Sequence, residues 1–235
     1  MRTSVLIIAH NEEKYIGRCI KSVLNQTCLA DEIVLVAHNC TDATEAIARS
    51  FSITVIPFTG QSGITHARIE GLTHVSGEII LCIDGDSYAA ENWIEIMTET
   101  LVQRKNVLIG SWIKLKGTVF GWVSNCFNYI NCLTKDTRAT RWIWGPSMAF
   151  WGRDTEVVRS IFQKSFTLSQ SLHLTRNVDD FWLALFMSKR GALEVTNKTH
   201  VSQHPKEKSS IEAIKRNREN MENALKMEAY VSTNI

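Results

Sequence analysis

The chain has 235 residues, of which 44% are hydrophobic and 21% are charged, and its formal net charge is +2. This composition is typical of a globular protein that buries a sizeable core, and so small a net charge excludes a strongly basic nucleic-acid-binding surface. The sequence has no apolar run of about 18 residues, which excludes a transmembrane helix, and no signal-peptide pattern at its start. We therefore expect a cytoplasmic protein, and association with the cytoplasmic face of a membrane stays open.

The first 110 residues alternate short apolar runs with amphipathic segments. Continuous apolar runs are typical of strands buried on both faces, and apolar residues at three- and four-residue steps are typical of helices. Strands are predicted over residues 4–9, 32–37, 53–58 and 78–83, and helices over 11–24, 41–50, 62–75 and 91–104, with Asn11 capping the first helix. This alternation predicts a largely parallel sheet with right-handed crossovers.

Polar clusters follow three of the predicted strands. They are His10-Asn11-Glu12 directly after Ala9, His38-Asn39 after the second strand, and Asp84-Gly85-Asp86 after the fourth. In a parallel sheet, ligands bind at the carboxyl ends of the strands, and these ends lie along one edge. The sequence therefore predicts that the three clusters form one site.

Asp84 and Asp86 are the most informative residues of these clusters. In an extended stretch, side chains two residues apart point the same way, and two carboxylates so placed repel each other unless a cation lies between them. Their hard oxygen atoms suit Mg²⁺ or Mn²⁺ that also coordinates a diphosphate, and Gly85 permits a close backbone approach. A polar turn between strand and helix, with Asp86 or Ser87 as a helix cap, is the alternative interpretation.

A second acidic pair, Asp179-Asp180, opens a helix predicted over residues 177–191. A helix dipole stabilises carboxylates at this end, so ordinary capping explains the pair as well as a function does. In the functional interpretation, one of the two carboxylates is a general base that deprotonates an acceptor hydroxyl.

The rest of the chain suggests one domain with two halves and a final helix. Residues 1–110 would form the nucleotide-binding half, residues 111–205 the acceptor half, and residues 206–235 a C-terminal amphipathic helix. The apolar stretch 119–133 is compatible with peripheral membrane contact, although we favour a buried core element.

Six stretches, taken in order, resemble the family 2 glycosyltransferases of the GT-A fold. The resemblance runs from residue 4 to about residue 204. It is carried by residues 4–13, 31–44, 67–71, 84–86, 145–150 and 179–191.

The resemblance implies an α/β GT-A fold, with a mostly parallel central sheet flanked by helices, and an inverting transfer from a UDP- or GDP-sugar. It implies that Asp180 is the general base and that Asp179 is its partner in the acidic motif. The implied donor-binding residues are Ala9, His10, Asn11, Glu12, His38, Asn39, Arg68, Asp84, Gly85 and Asp86. The implied ligands of Mn²⁺ or Mg²⁺ are Asp86, Asp84 and His204.

One departure concerns the nucleotide base. Many relatives carry an aspartate in the second loop that contacts the base, and this chain has Ala37-His38-Asn39 at that place. Recognition of uracil by a carboxylate is therefore not expected at this position.

Two other functions are compatible with parts of the pattern. A nucleotidyltransferase on a related sheet would carry a glycine- and lysine-rich loop after the first strand, which residues 9–13 lack. A sugar-nucleotide-binding protein without transfer activity would not need both acidic pairs. The sequence leaves the oligomeric state open, and the acceptor can be a saccharide, a lipid-linked sugar or a small molecule.

Overall fold

The computed structural model describes residues 1–115, 143–174, 178–203 and 210–234. The strands in these ranges are β1 Thr3–Ala9, β2 Glu32–His38, β3 Thr54–Phe58, β4 Ile79–Asp84, β5 Ser87–Ala89, β6 Leu108–Leu115, β7 Met148–Trp151 and β8 Leu193–Gln203. The helices are α1 Ile16–Leu24, α2 Thr44–Arg49, α3 Ile64–Gly71, α4 Trp93–Gln103, α5 Thr155–Ser171, α6 Asp179–Met187 and α7 Ser210–Asn234. A short 3₁₀ turn, Gly152–Asp154, leads into α5.

The described strands form one sheet in the order β3-β2-β1-β4-β7-β6-β8-β5. The β3-β2-β1-β4 half is parallel throughout, as the alternation of strands and helices predicts. In the other half, β7 runs antiparallel to both β4 and β6, and β5 runs antiparallel to β8, while β6 and β8 are parallel. The predicted α/β class with a mostly parallel, helix-flanked sheet is confirmed.

Both faces of the sheet are covered, which explains the continuous apolar runs. Every residue of β1 is buried, and alternate side chains point to opposite faces. Leu6 and Ile8 join a core cluster with residues of α3, α5 and α6, whereas Val5 and Ile7 join a second cluster with residues of α1 and α4. At roughly 25 cal/mol per Å² of apolar surface removed from water, these two layers are the main stabilising contribution to the fold.

The sequence patterns missed some elements and misplaced one cap. Strand β5 has three residues and α5 lies in a stretch for which no element was predicted. Asn11 does not cap the first helix, because α1 begins only at Ile16 and the backbone of Asn11 is left-handed, with φ of 54°. Within the described ranges, none of the helices combines the length and the apolar character needed to cross a membrane.

Gly152 marks a close backbone crossing between the start of β4 and the end of β7. A Cβ atom placed on Gly152 would lie 2.0 Å from the carbonyl oxygen of Gly77, and this backbone atom cannot rotate away. We expect Gly152→Ala to lower the free energy of unfolding by about 1–3 kcal/mol, the usual cost of overpacking. Urea unfolding followed by circular dichroism measures the change.

Gly17→Ala is the matched control for this prediction. Gly17 lies in α1, and its added Cβ would sit 3.6 Å from Ile47, an ordinary packing distance. Because alanine is the better helix former, the free energy of unfolding should stay unchanged or rise by up to about 1 kcal/mol. Equal destabilisation by the two substitutions would contradict the tight crossing at Gly152.

Candidate active site

The carboxyl ends of β1, β2 and β4 meet at one edge of the sheet. Ala9 pairs with Ala37 on β2, and Ile8 pairs with Asp84 on β4. The amide of Gly85 donates a hydrogen bond of 2.8 Å to the carbonyl of Ile8. A Cβ on Gly85 would lie 2.9 Å from the Cβ of Ala9, so the approach of these two strand ends requires glycine.

The loops after β1 and β2 are fastened to each other. The Nδ1 atom of His10 donates to the carbonyl of His38 at 2.7 Å. The Oδ1 atom of Asn11 accepts a bond of 2.8 Å from the amide of Thr41, and the left-handed backbone of Asn11 makes this contact possible. Glu12 is buried at the same junction. The predicted convergence of these two polar clusters is therefore present in the structure.

His38 and Asn39 hold the segment after β3 in place. The buried ring of His38 stacks on Phe58 and donates from Nε2 to the carbonyl of Gln61 at 3.0 Å. Burial lowers the pKa of His38, and this hydrogen bond acts in the opposite direction without offsetting it, so the surroundings favour the neutral ring. The Asn39 amide bonds both the carbonyl and the N–H of Gly60, at 3.0 and 3.1 Å.

Arg68 connects the Asp84 strand end to the second acidic pair. Its Nη1 atom bonds both carboxylate oxygens of Asp179, at 2.9 and 3.0 Å, and its Nη2 atom bonds Oδ1 of Asp84 at 3.2 Å. The residue is 3% exposed, and Thr65, one turn earlier on α3, donates to Asp179 at 2.9 Å. Burial alone would lower the pKa of Arg68, but the charges of Asp179 and Asp84 raise it, so the guanidinium stays charged.

Asp180 stands beside this ion network at the start of α6. The residue as a whole is partly exposed, and its carboxylate accepts bonds from the amides of Gly145 at 3.1 Å and Phe181 at 2.8 Å. Burial, followed by the negative charge of Asp179, raises the pKa of Asp180 to about 6, although Arg68 and the two amides act in the opposite direction. A carboxylate with this pKa is a stronger proton acceptor than an ordinary aspartate, as a general base requires.

Asp86 has its own protein partners. Its buried carboxylate accepts from the hydroxyl of Ser87 at 3.1 Å and from Nε2 of Gln203 at 3.3 Å. Ser87 and Gln203 face each other in the β5–β8 pair, which brings the end of β8 to the Asp84-Gly85-Asp86 turn.

The carboxylates of Asp84 and Asp86 fit a hard divalent cation by their chemistry. The described residues contain no group of three His, Cys, Asp or Glu side chains placed to hold a metal ion. Mg²⁺ in phosphate-transferring sites is held by only one or two carboxylates, with substrate phosphates and water completing the shell. The Asp84-Gly85-Asp86 turn can supply these one or two carboxylates. His204, the third predicted ligand, lies outside the described residues and stays a prediction.

All the other predicted site residues lie along this edge of the sheet or on the helices beside it. Several residues outside the sequence motifs also support them. Thr65 bonds Asp179, Gln61 bonds His38, and Ser87 and Gln203 bond Asp86. No local pattern marks these residues, because each contact except that of Ser87 joins distant parts of the chain.

The chain is similar in sequence to known glycosyltransferases. The family model described as "Glycosyl transferase family 2" matches residues 4–162, which is more than half of the chain. Among curated proteins, "Glycosyltransferase GlyA" of Streptococcus pneumoniae is 27% identical over 117 residues, covering 47% of this chain and 17% of GlyA. This chain spans about a third or less of the curated relatives that it matches.

Solved structures share the fold. The mannosyltransferase PcManGT from Pyrobaculum calidifontis, in complex with GDP-Man and Mn²⁺, has a TM-score of 0.69 at 17% identity, covering 96% of this chain and 64% of PcManGT. Residues 1–349 of S. aureus TarS, in complex with UDP-GlcNAc, give a TM-score of 0.64 at 14% identity, covering 90% of this chain and 61% of that one.

The raised pKa of Asp180 predicts a pH dependence of stability. Between the unfolded-state pKa of about 3.9 and the folded value near 6, the unfolded chain releases its proton while the folded chain keeps it, so stability falls as pH rises. We expect the difference in unfolding free energy between wild type and Asp180→Asn to fall by about 1–3 kcal/mol from about pH 4 to pH 7. Urea unfolding across this range measures it.

Asp42→Asn is the control for this titration. Burial raises the pKa of Asp42, but hydrogen bonds from Thr44 and from the Glu13 amide lower it by a larger amount. The net shift of this pKa is therefore downward. Its stability contribution is lost only as pH falls through that lowered value, so its difference curve should be flat above about pH 4. A flat curve for Asp180→Asn as well would contradict the raised pKa.

Proposed function

Because the chain belongs to glycosyltransferase family 2, we propose that it transfers a sugar from a nucleotide-diphosphate sugar to an acceptor hydroxyl, with Asp180 as the general base. One observation supports this proposal above the others: Arg68 bonds both Asp179 and Asp84, an arrangement called the Arg68 bridge below. Through this bridge, the acidic pair of α6 lies beside the strand end that carries Asp84-Gly85-Asp86. A proton acceptor and a diphosphate-binding turn side by side are what a one-step glycosyl transfer needs.

The proposed reaction is a single displacement with inversion. The acceptor oxygen forms a bond to the anomeric carbon while the bond from that carbon to the diphosphate oxygen breaks, and its electron pair leaves with the nucleoside diphosphate. Asp180 takes the acceptor proton, and the Gly145 and Phe181 amides orient its carboxylate. Asp179 pairs with Arg68 and completes the acidic motif.

The donor side of the proposed site is the edge formed by β1, β2 and β4. Asp84 and Asp86 would hold Mn²⁺ or Mg²⁺, and Gly85 lets the turn that carries them pack closely against Ala9. When bound, such a cation neutralises the charge of the leaving diphosphate. Ala9, His10, Asn11, Glu12, His38 and Asn39 would line the nucleoside part. Structural neighbours hold UDP-GlcNAc, or GDP-Man with Mn²⁺, which supports a UDP- or GDP-sugar as the donor of this chain.

The acceptor half would lie beyond the donor edge. We assign residues 1–110 to donor binding, residues 111–205 to acceptor binding and catalysis, and the remainder to a C-terminal helix. The apolar stretch 119–133, with its expected membrane or core contact, lies outside the described residues. A saccharide, a lipid-linked sugar and a small molecule all stay open as acceptors, as do the oligomeric state and the expected cytoplasmic location.

Metal-dependent donor binding is the first test of the proposal. We expect one or more UDP- or GDP-sugars to raise the melting temperature in the presence of Mn²⁺, and EDTA to abolish the shift, because ligands that bind only the folded state stabilise it. Asp86→Asn should lose most of the shift because a carboxylate that neutralises the cation is gone. Thermal shift across a panel of nucleotide sugars, followed by calorimetry, measures both effects.

Asp31→Asn serves as the control for donor binding. Asp31 is an exposed carboxylate that bonds the amide of Thr3, at the opposite end of β1 from the proposed site. Its donor-dependent shift should match that of wild type. If no nucleotide sugar and no nucleoside diphosphate gives a shift or binding heat with Mn²⁺, the proposed function is wrong.

Substitution of the proposed base is the second test. Asp180→Asn should keep donor affinity near that of wild type but lower the transfer rate by about 10²- to 10⁴-fold, the usual contribution of general base catalysis. Donor calorimetry and release of nucleoside diphosphate in the presence of acceptor give the two readouts. Asp154→Asn is the control, since Asp154 pairs with Arg190 outside this site. Undiminished transfer by Asp180→Asn would remove Asp180 from its role.

A further inference from the structure

Arg68 contacts both acidic motifs, and its environment differs from that of a residue exposed to a ligand. It is 3% exposed, and its Nη1 and Nη2 atoms are directed at Asp179 and Asp84. Three acidic residues, Asp84, Asp179 and Asp180, act on this one guanidinium. Such an arrangement fixes the positions of the carboxylates relative to one another.

We propose that Arg68 is a positioning residue, which fixes the separation between the donor-side carboxylate Asp84 and the acidic pair Asp179-Asp180, and that Gly145 provides the space its guanidinium occupies. This inference rests on the proposed function, because it assigns Asp180 a partner in catalysis. It replaces the expectation that Arg68 binds the donor directly.

The chemistry of the bridge requires arginine. A planar guanidinium presents several N–H groups in a rigid fork, so it can bond the two oxygens of one carboxylate and still reach a second carboxylate. The Arg68 fork does so, with Nη1 on Asp179 and Nη2 on Asp84. A lysine ammonium is a single point charge on a flexible stem, so it keeps the charge but does not fix the angle between α6 and the end of β4.

Gly145 packs directly against this fork. A Cβ on Gly145 would lie 2.2 Å from Nη2 of Arg68 and 2.9 Å from its Cζ, so any other residue at this position displaces the guanidinium. The backbone of Gly145 is not left-handed, so alanine meets no conformational obstacle other than Arg68. The amide of Gly145 also donates to Asp180, so one residue contacts the bridge and orients the base.

The test uses Arg68→Lys, Gly145→Ala and the double variant, with Arg190→Lys as the control. Arg190 also forms an ion pair, with Asp154 at 3.2 Å, but it is half exposed and outside the site. For each purified variant, kcat of transfer, the donor Kd by calorimetry with Mn²⁺, and the melting temperature are measured. The donor is the nucleotide sugar that gives the largest Mn²⁺-dependent thermal shift.

We expect Arg68→Lys and Gly145→Ala each to lower kcat by roughly 100-fold, the loss that accompanies a displacement of about 1 Å in a reacting site. Donor Kd should stay near that of wild type, because the groups that contact the donor are retained. In the double variant, kcat should match that of Arg68→Lys alone, since the shorter lysine leaves room for the added methyl group. Arg190→Lys should leave kcat unchanged.

Three results would overturn the inference. Weaker donor binding with an unchanged kcat would make Arg68 a donor ligand. A lower melting temperature with an unchanged kcat would make the bridge purely structural. Effects on kcat that multiply in the double variant would separate Gly145 from Arg68. If Arg68→Lys does not fold, the Gly145→Ala variant decides alone, because it retains the guanidinium. A wild-type kcat in Gly145→Ala would then contradict the inference.

The inference and the proposed function fail in different ways. If Asp180→Asn transfers sugar as fast as wild type, the proposed base is wrong whatever Arg68 does. If Asp180→Asn is inactive while Arg68→Lys and Gly145→Ala keep wild-type kcat, the base stands and only the positioning role is refuted.

Discussion

A charged guanidinium enclosed within the protein organises this site. Removal of a charge from water costs several kcal/mol unless partners of opposite charge compensate for it, and loss of one partner from such a buried pair is strongly destabilising. Arg68 meets Asp179 through two bonds and Asp84 through a third, and so it joins α3, α6 and the end of β4. The relative placement of the two acidic motifs therefore depends on one side chain.

The same group of charges helps to explain why the pKa of Asp180 is raised. One cation faces three carboxylates, and two bonds of Nη1 are directed at Asp179. Burial, followed by the negative charge of Asp179, raises the pKa of the neighbouring Asp180 to about 6. Capping and catalysis were competing explanations of the Asp179-Asp180 pair in the sequence. In the structure, the two acids differ in partners and in exposure, as two residues with separate roles would.

Much of the fold follows from local sequence, and the site follows from it only in part. Buried runs such as those of β1 and β4 are visible in the sequence because both faces of these strands are covered, and the carboxyl ends of parallel strands then share an edge. Short or polar elements give no such signal. Strand β5 has three residues, yet its pairing with β8 brings Gln203 to Asp86.

The contacts of Arg68 were beyond local patterns for a further reason. Its partner Asp179 lies 111 residues away, and an arginine on a predicted helix is equally consistent with solvent, phosphate or a carboxylate. The loop after β2 likewise makes contacts that local sequence patterns do not predict. His38 and Asn39 were identified as a departure from relatives, but their role in fastening Gly60 and Gln61 depends on the position of β3 beside β2.

In the proposed function, Asp180 activates an acceptor that attacks a nucleotide sugar in one displacement. The configuration of the anomeric carbon in the product distinguishes a single displacement from a double one. With a donor whose sugar is α-linked to the diphosphate, the product should be β-linked, as read from the anomeric proton coupling in the NMR spectrum of a reaction sampled early. An α-linked product would require two displacements or a different mechanism, and would contradict the role of Asp180 as the base of a single displacement.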